Sequence, residues 1–401
     1  MPSTTVAANH DTAPRSADKR DRTPRTEDVE RDVVVVGAGP AGLSAALELE
    51  RVGVRPLVLD QAEHVAASWR GRYDRLRLNT PAAHSHLPGR RFPKGTPTFP
   101  TRDQLVEHLE RASRSDGIDL EFGTRVERIT RRDQRWLVQT SSGEIPARQV
   151  LVATGYERTP SIPAWNGRDA FAGRLLHSAD YKNPTPFRDQ GVLVVGTGSS
   201  GMEIAYDLAV GGAAKVWLSA RTPPNIFMRE GPGGLPGDYI AVLFVHLPVR
   251  VADGLARFAR RKTLGDLTDY GLPIPDEGVF ARFHRLGVTP AVIDPEVIDA
   301  IKAGRIEIVP GTESLDRTGA RLTGGGRVEP DSIICATGYT RGLEPLVGHL
   351  DVLDERGIPR ALGKNPAADG LRFIGYTPHP GQLAYIGKQA KRAAKAIAGE
   401  L

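Results

Sequence analysis

Residues Arg31 to Glu50 read RDVVVVGAGPAGLSAALELE, and this stretch decides the fold. Val33 to Val36 is an unbroken β-branched run, the pattern of a strand buried on both faces of a parallel sheet. It runs straight into Gly37-Ala38-Gly39-Pro40-Ala41-Gly42 and then into an apolar-periodic helix, Leu43 to Leu49. The first glycine of such a unit makes the tight turn, the second lets backbone touch a pyrophosphate, and the third lets helix and strand pack closely. The helix N-terminus adds unpaired N–H groups and the positive end of its dipole. The next strand, Pro56 to Leu59, ends at Asp60, 18 residues past Gly42. A carboxylate there accepts from both hydroxyls of an adenosine ribose, which selects a dinucleotide without a 2′-phosphate. FAD fits.

A second unit follows the same plan, with strand Val192 to Val195, turn Gly196-Thr197-Gly198-Ser199-Ser200-Gly201 and helix Met202 to Ala209. Its next strand, Val216 to Leu218, runs into Ser219-Ala220-Arg221 with no acid. A guanidinium and a hydroxyl at that point hold a 2′-phosphate through charge-assisted bonds, so NADPH is expected rather than NADH. The tetrapeptide Ala153-Thr154-Gly155-Tyr156 returns as Ala336-Thr337-Gly338-Tyr339, which suggests two passages between domains. The expected architecture is α/β, with two Rossmann-like dinucleotide-binding domains, the second inserted in the first. FAD is assigned to 31–165 and 336–401, NADPH to 166–335, and a disordered tail to 1–30.

Composition narrows the chemistry. The 401 residues hold 53 Lys and Arg against 48 Asp and Glu, a balance that does not point to nucleic acid. One cysteine, Cys335, excludes an internal disulfide, a redox-active dithiol and a cysteine-rich metal site. No apolar run approaches the roughly 20 residues that span a bilayer. The longest, Tyr239 to Val249, reads as a buried helix or pocket wall, with membrane contact as the alternative. A cytoplasmic protein is expected, its oligomeric state open.

Between Glu63 and Pro100 the chain is rich in Trp, Arg, Pro and His. Trp69 and Arg70 are read as stacking on the flavin ring and Asn79 as its hydrogen-bonding amide, against the plainer reading of a core indole and a turn residue. Gln61, Leu78 and Val126 are expected beside them. His84 and His86 form an H-x-H pair with no third ligand nearby in sequence, so no metal is expected. Thr101 is read as the N-cap of an amphipathic helix to Ala112. Ala153, Thr154 and Gly155, with Ala336, Thr337 and Gly338, are expected to bring backbone against cofactor. A last helix from about Gly381 is expected to aim its N-terminus at the flavin, with Gln382 and Leu383 beside it.

The stretch FAGRLLHSADY, Phe171 to Tyr181, lies between the two units. Phe171, Gly173, His177 and Tyr181 match the F-x-G-x-x-x-H-x-x-x-[YF] motif, and the chain resembles the flavin-containing monooxygenases, class B flavoprotein monooxygenases. Through YDRLRLNTP, VLVVGTGSSGMEIAYDL, LGDLTDYGL and TPAVID it is most similar to the YUCCA-type branch. The resemblance implies that NADPH reduces FAD, NADP+ stays bound, dioxygen adds at flavin carbon 4a, and one oxygen passes to a small organic substrate. That substrate is an amine or sulfide, or a 2-oxo acid such as an arylpyruvate undergoing oxidative decarboxylation. It also implies catalytic parts for Asn79 and His177, the histidine as a contact joining the domains rather than a base. Asn79, where the branch often has histidine, and Ser85-His86-Leu87-Pro88, where plant members carry Cys-Gln-Leu-Pro, depart from its pattern. An oxidase or reductase that oxygenates nothing is the rival reading. Pocket residues are expected within 222–292.

Overall fold

The computed structural model describes residues 30–401; residues 1–29, nearly all of the expected tail, lie outside it. Strand β1 (Arg31–Val36) is fully buried from Val33 onward and passes through the glycine turn into α1 (Pro40–Arg51). β2 (Leu57–Leu59) and β3 (Asp119–Glu121) extend the sheet on one side of β1, all parallel. On the other side lies the long strand β6 (Gly143–Val152). Its first half carries the antiparallel meander β4 (Val126–Arg132) and β5 (Arg135–Thr140). Helix α2 (Arg102–Ser113) is held by a full capping box, in which Thr101 Oγ1 accepts from Gln104 N–H and Gln104 returns its side chain to Thr101 N–H.

The chain then leaves this sheet and builds a second, wholly parallel one. Its order is β10 (Glu307–Pro310), β9 (Lys215–Ala220), β8 (Gly191–Val195), β11 (Ser332–Cys335) and β7 (Arg174–His177). Helix α3 (Ser199–Val210) follows β8. Between β9 and β10 lie three helices, α4 (Gly237–Phe244), α5 (Val249–Thr263) and α6 (Val279–Leu286), then α7 (Pro295–Lys302) against α3. The basic run at the end of α5 does not form one solvated face, because Arg260 turns inward and is 7% exposed.

The return passage completes the first sheet. β12 (Leu371–Phe373) pairs parallel with the second half of β6, and α8 (Gln382–Glu400) packs on α1. The two passages between sheets are themselves paired antiparallel, Thr159–Pro160 against Tyr339–Thr340. One apolar core lies between the first sheet and α1, α2 and α8, and a second between the other sheet and α3 and α7.

Candidate functional site

The repeated tetrapeptide has a steric role in both glycine turns. Gly37 has φ +108°, and a Cβ there would sit 2.8 Å from Ala153 O; Gly196 has φ +111°, with 2.5 Å to Ala336 O. Each first glycine therefore lies on the backbone of an Ala-Thr-Gly strand end. The third glycines seal the fold from the other side, since a Cβ on Gly42 or Gly201 would fall 1.7 or 1.9 Å from the carbonyl oxygen of Gly37 or Gly196. No larger residue fits at these points.

The first turn opens on a cavity of about 400 Å³. Gly37, Gly39, Pro40 and Ala41 border it at the N-terminus of α1, which carries no side-chain cap. Asp60 and Gln61 close one end, Trp69 and Val126 line the wall, and Ala153, Thr154 and Gly155 form the strand end. Gln382 and Leu383, in the first turn of α8, complete it. Asp60 Oδ2 accepts from Ala38 N–H at 2.7 Å and Oδ1 from Ala62 N–H at 2.9 Å, leaving each oxygen further acceptor capacity toward the cavity. An uncapped helix N-terminus, bare glycine backbone and a carboxylate at the far end fit the pyrophosphate and ribose of a flavin dinucleotide.

Two expected flavin contacts lie elsewhere. Arg70 pairs with Glu110 and donates to Val65 O at 3.2 Å, so its guanidinium binds α2 to its own segment. Leu78 is 4% exposed in the core under α1, with its N–H on Pro100 O.

Asn79 also lies off that cavity, on a neighbouring one of about 180 Å³. This second cavity is lined by Phe227, Met228, Phe280, Phe283, Val292 and residues of α4, within the 222–292 stretch where pocket residues were expected. Tyr156 and Gln382 border both cavities. The Asn79 amide is oriented by Arg229. A guanidinium only donates, so Arg229 Nη2 at 3.2 Å fixes Asn79 Oδ1 as acceptor, and Nδ2 faces Ser199 Oγ at 3.4 Å.

Arg229 was not singled out from sequence, yet it centres the contact between the two halves. It is 2% exposed, pairs with Glu203, and donates to Asp294 Oδ2 at 2.6 Å. Tyr73 O–H donates to Glu203 Oε2 at 2.5 Å, and Arg77 reaches Asp294 Oδ2 at 2.9 Å. Burial pushes the Glu203 carboxyl upward, against the pull of Arg229 and Tyr73. His84 Nδ1 meets Asp238 Oδ2 at 2.6 Å, joining the first half to α4, while His86 Nδ1 lies 3.2 Å from Leu87 O. Among the described residues no three His, Cys, Asp or Glu side chains converge as metal ligands.

At the second turn, Gly198 borders a cavity of about 100 Å³ with Thr197, Thr222 and Asn225. Gly198 is also the N-cap of α3, which has no side-chain cap and begins Ser199-Ser200. Ser199 Oγ accepts from Val292 N–H at 2.9 Å. Arg221 is exposed just beyond β9. Ser219, expected to hold a phosphate, instead donates to Pro310 O at 2.9 Å and accepts from Thr312 N–H at 3.0 Å. At 1% exposure its hydroxyl is spent on the sheet edge.

His177, from the linking motif, is buried. Its Nδ1 accepts from Ala179 N–H at 3.1 Å, so the ring proton is on Nε2, which donates to Gly338 O at 2.9 Å. Burial lowers its pKa and keeps the ring neutral. With both nitrogens engaged, it ties β7 to the return passage. The second tetrapeptide serves the same junction: Gly338 O also accepts from Ser161 N–H, and Thr337 O–H donates to Ser161 O. Ala336, Thr337 and Gly338 thus lie off the 400 Å³ cavity, unlike their first-half counterparts. Tyr181, from the same motif, is fully buried and donates to Asp207 Oδ2 at 2.7 Å.

Residues 34–226 match the family described as pyridine nucleotide-disulphide oxidoreductase. The dithiol of that name is not present, since Cys335 is the only cysteine and burial pushes its thiol up to about 12. The chain is 35% identical over 351 residues to indole-3-pyruvate monooxygenase YUCCA1 of Oryza sativa subsp. japonica, covering 86% of each chain. It is 34% identical over 363 residues to the probable indole-3-pyruvate monooxygenase YUCCA3 of Arabidopsis thaliana, covering 86% of this chain and 82% of that one. The fold is shared with the flavin-containing monooxygenase from Stenotrophomonas maltophilia, at TM-score 0.69 and 24% identity over 93% of this chain and 99% of that one. It is also shared with cyclohexanone monooxygenase, at TM-score 0.71 and 19% identity over 92% and 87%. The chain therefore belongs to the flavin-containing monooxygenases, in their YUCCA-type branch, enzymes that work with FAD and NADPH.

Proposed function

We propose that this enzyme is an NADPH-dependent FAD monooxygenase that transfers one oxygen atom of dioxygen to a small aromatic substrate. The observation that carries the reading is the pair of adjoining cavities, one dinucleotide-shaped and one aromatic, with Tyr156 and Gln382 on the rim of both. FAD would lie along Gly37, Gly39, Asp60 and Gly155 in the half formed by 31–165 and 336–401. NADPH would lie over the N-terminus of α3 in 166–335, with Arg221 at its 2′-phosphate. Reduced by NADPH, the flavin supplies the activation of dioxygen.

The chain's own residues bind, orient and exclude water. Arg229 holds the Asn79 amide by its oxygen, and the N–H that Ser199 does not take would donate to an oxygen of substrate or oxidant in the second cavity. Phe227, Phe280 and Phe283 keep that space apolar. His177 stays neutral and fixes how the two halves meet. The relatives' names make an arylpyruvate, with indole-3-pyruvate as the first compound to try, the substrate class we favour over amines and sulfides. An FAD-dependent NADPH oxidase that oxygenates nothing is the second reading.

The test loads the full chain with FAD and follows NADPH consumption beside peroxide and product across 2-oxo acids, amines and sulfides. Product approaching one per NADPH with an arylpyruvate is expected. Peroxide equal to NADPH with every compound would leave the oxidase reading, and a protein that takes up no FAD would end both.

A further inference from the structure

Helix α5 carries three distinct stripes. Ala252, Ala256 and Arg260 face inward, whereas Val251, Leu255 and Phe258, spaced four and three apart, form one outward face. These three side chains are 50%, 43% and 63% exposed. Beside them Arg250, Arg257 and Arg261 form a basic stripe, and Lys262 stands 5.9 Å from the Phe258 ring. Every exposed charge on the helix is positive, because its one acid, Asp253, turns its carboxylate to the N–H groups of Phe280 and Ala281 at 2.7 and 3.2 Å. The surroundings are also apolar: of the ten exposed large hydrophobic side chains among the described residues, nine fall between Leu235 and Val288.

We infer that the outward face of α5 docks on an anionic lipid surface. An apolar stripe flanked by Arg and Lys is what a helix needs to lie in the plane of a membrane interface, with apolar groups among the acyl chains and cations at the headgroups. Charge separates this occupant from a second copy of the chain. In a two-fold symmetric dimer the face would meet itself and oppose four exposed cations to four. Asp266 and Asp269, the exposed acids that follow, lie beyond the helix in the next turn. No helix among the described residues is long and apolar enough to cross a membrane, so the attachment is peripheral and reversible. It also has a consequence for the site. Helices α4 and α6, which adjoin α5 in the chain, line the aromatic cavity, so docking sets that cavity beside the lipid from which apolar compounds partition.

The test uses the FAD-loaded full chain and vesicles of phosphatidylcholine, alone or with about a third phosphatidylserine. Sedimentation with the anionic vesicles only, weakened by added salt, is expected. Two double variants, Leu255→Ser with Phe258→Ser and Arg257→Glu with Arg261→Glu, should each bind at least about tenfold more weakly while keeping bound FAD. The inference is overturned if the chain binds neither vesicle or both equally, or if the variants bind like the parent. It is equally overturned if the serine pair splits an oligomer in solution, since the face then belongs to a second copy.

Discussion

At the residue scale, the Asn79 side chain shows how a neighbour that can only donate settles an otherwise ambiguous amide. With its oxygen taken by Arg229, one N–H is directed at Ser199 Oγ and the other is available to the cavity that Asn79 borders. Asn79→Ala should lower the ratio of product to peroxide by about tenfold, as expected for one lost hydrogen bond, with NADPH consumption kept. An unchanged ratio would remove Asn79 from the reaction. His108 gives a pH prediction. It is 2% exposed, its ring stacks 4.1 Å from Phe92, and Leu87 N–H points at Nε2. Burial lowers its pKa from 6.5 to about 4. Below 6.5 the unfolded chain takes a proton that the folded chain refuses, so stability falls as pH drops toward 4. His177, lowered by burial as well, adds to the same slope. Urea midpoints at several pH values should show this loss, and His108→Leu should flatten part of it.

At the scale of elements, the ends of strands are where nucleotide preference is expected to be set. β2 runs into Asp60, whose carboxylate braces its own turn and borders the cavity; β9 runs into the exposed Arg221. Ser219 contributes nothing to a ligand, because its hydroxyl closes the hydrogen bonds of the neighbouring Pro310 and Thr312. The preference for NADPH should then rest on Arg221 alone of the expected pair. Arg221→Ala should raise KM for NADPH about tenfold and leave NADH oxidation nearly unchanged. Ser219→Ala should instead cost stability and leave the ratio of the two KM values as it was. Steady-state kinetics with both nucleotides separate these outcomes.

At the scale of the molecule, the two halves are held by paired passages and by one buried ionic cluster. Arg229 faces Glu203 and Asp294, and Tyr73 and Arg77 reach in from the other half. Arg229→Met leaves two acids without their buried partner and should cost about 3–5 kcal/mol. Thermal unfolding of the FAD-loaded chain measures it. Loss of that size with the Asn79 side chain intact should also raise peroxide release, because the amide is then free to turn.

Much of the fold was legible from local sequence. Val33 to Gly42 and Val192 to Gly201 specify strand, turn and helix because the missing Cβ of the third glycine, Gly42 or Gly201, acts on the nearby backbone of Gly37 or Gly196, and Thr101 with Gln104 fixes a helix start within one turn. What eluded the sequence was the face each side chain takes. Arg70 and Leu78 lie in the stretch expected to wrap the flavin, yet one meets Glu110, 40 residues on, and the other joins the core. Arg229 had no local signature, since its meaning comes from Glu203, Asp294 and Asn79, brought together from separate elements.

The sequence by itself determined that this chain makes two dinucleotide folds and which family it resembles, because those patterns are written in near-neighbour sterics and spacing. Only the tertiary structure decided that the repeated Ala-Thr-Gly segments back each glycine turn, that Asn79 borders the aromatic cavity, and that α5 turns an apolar stripe outward. Such outcomes depend on packing between distant segments, where a buried donor must find whatever acceptor the fold brings within about 3 Å.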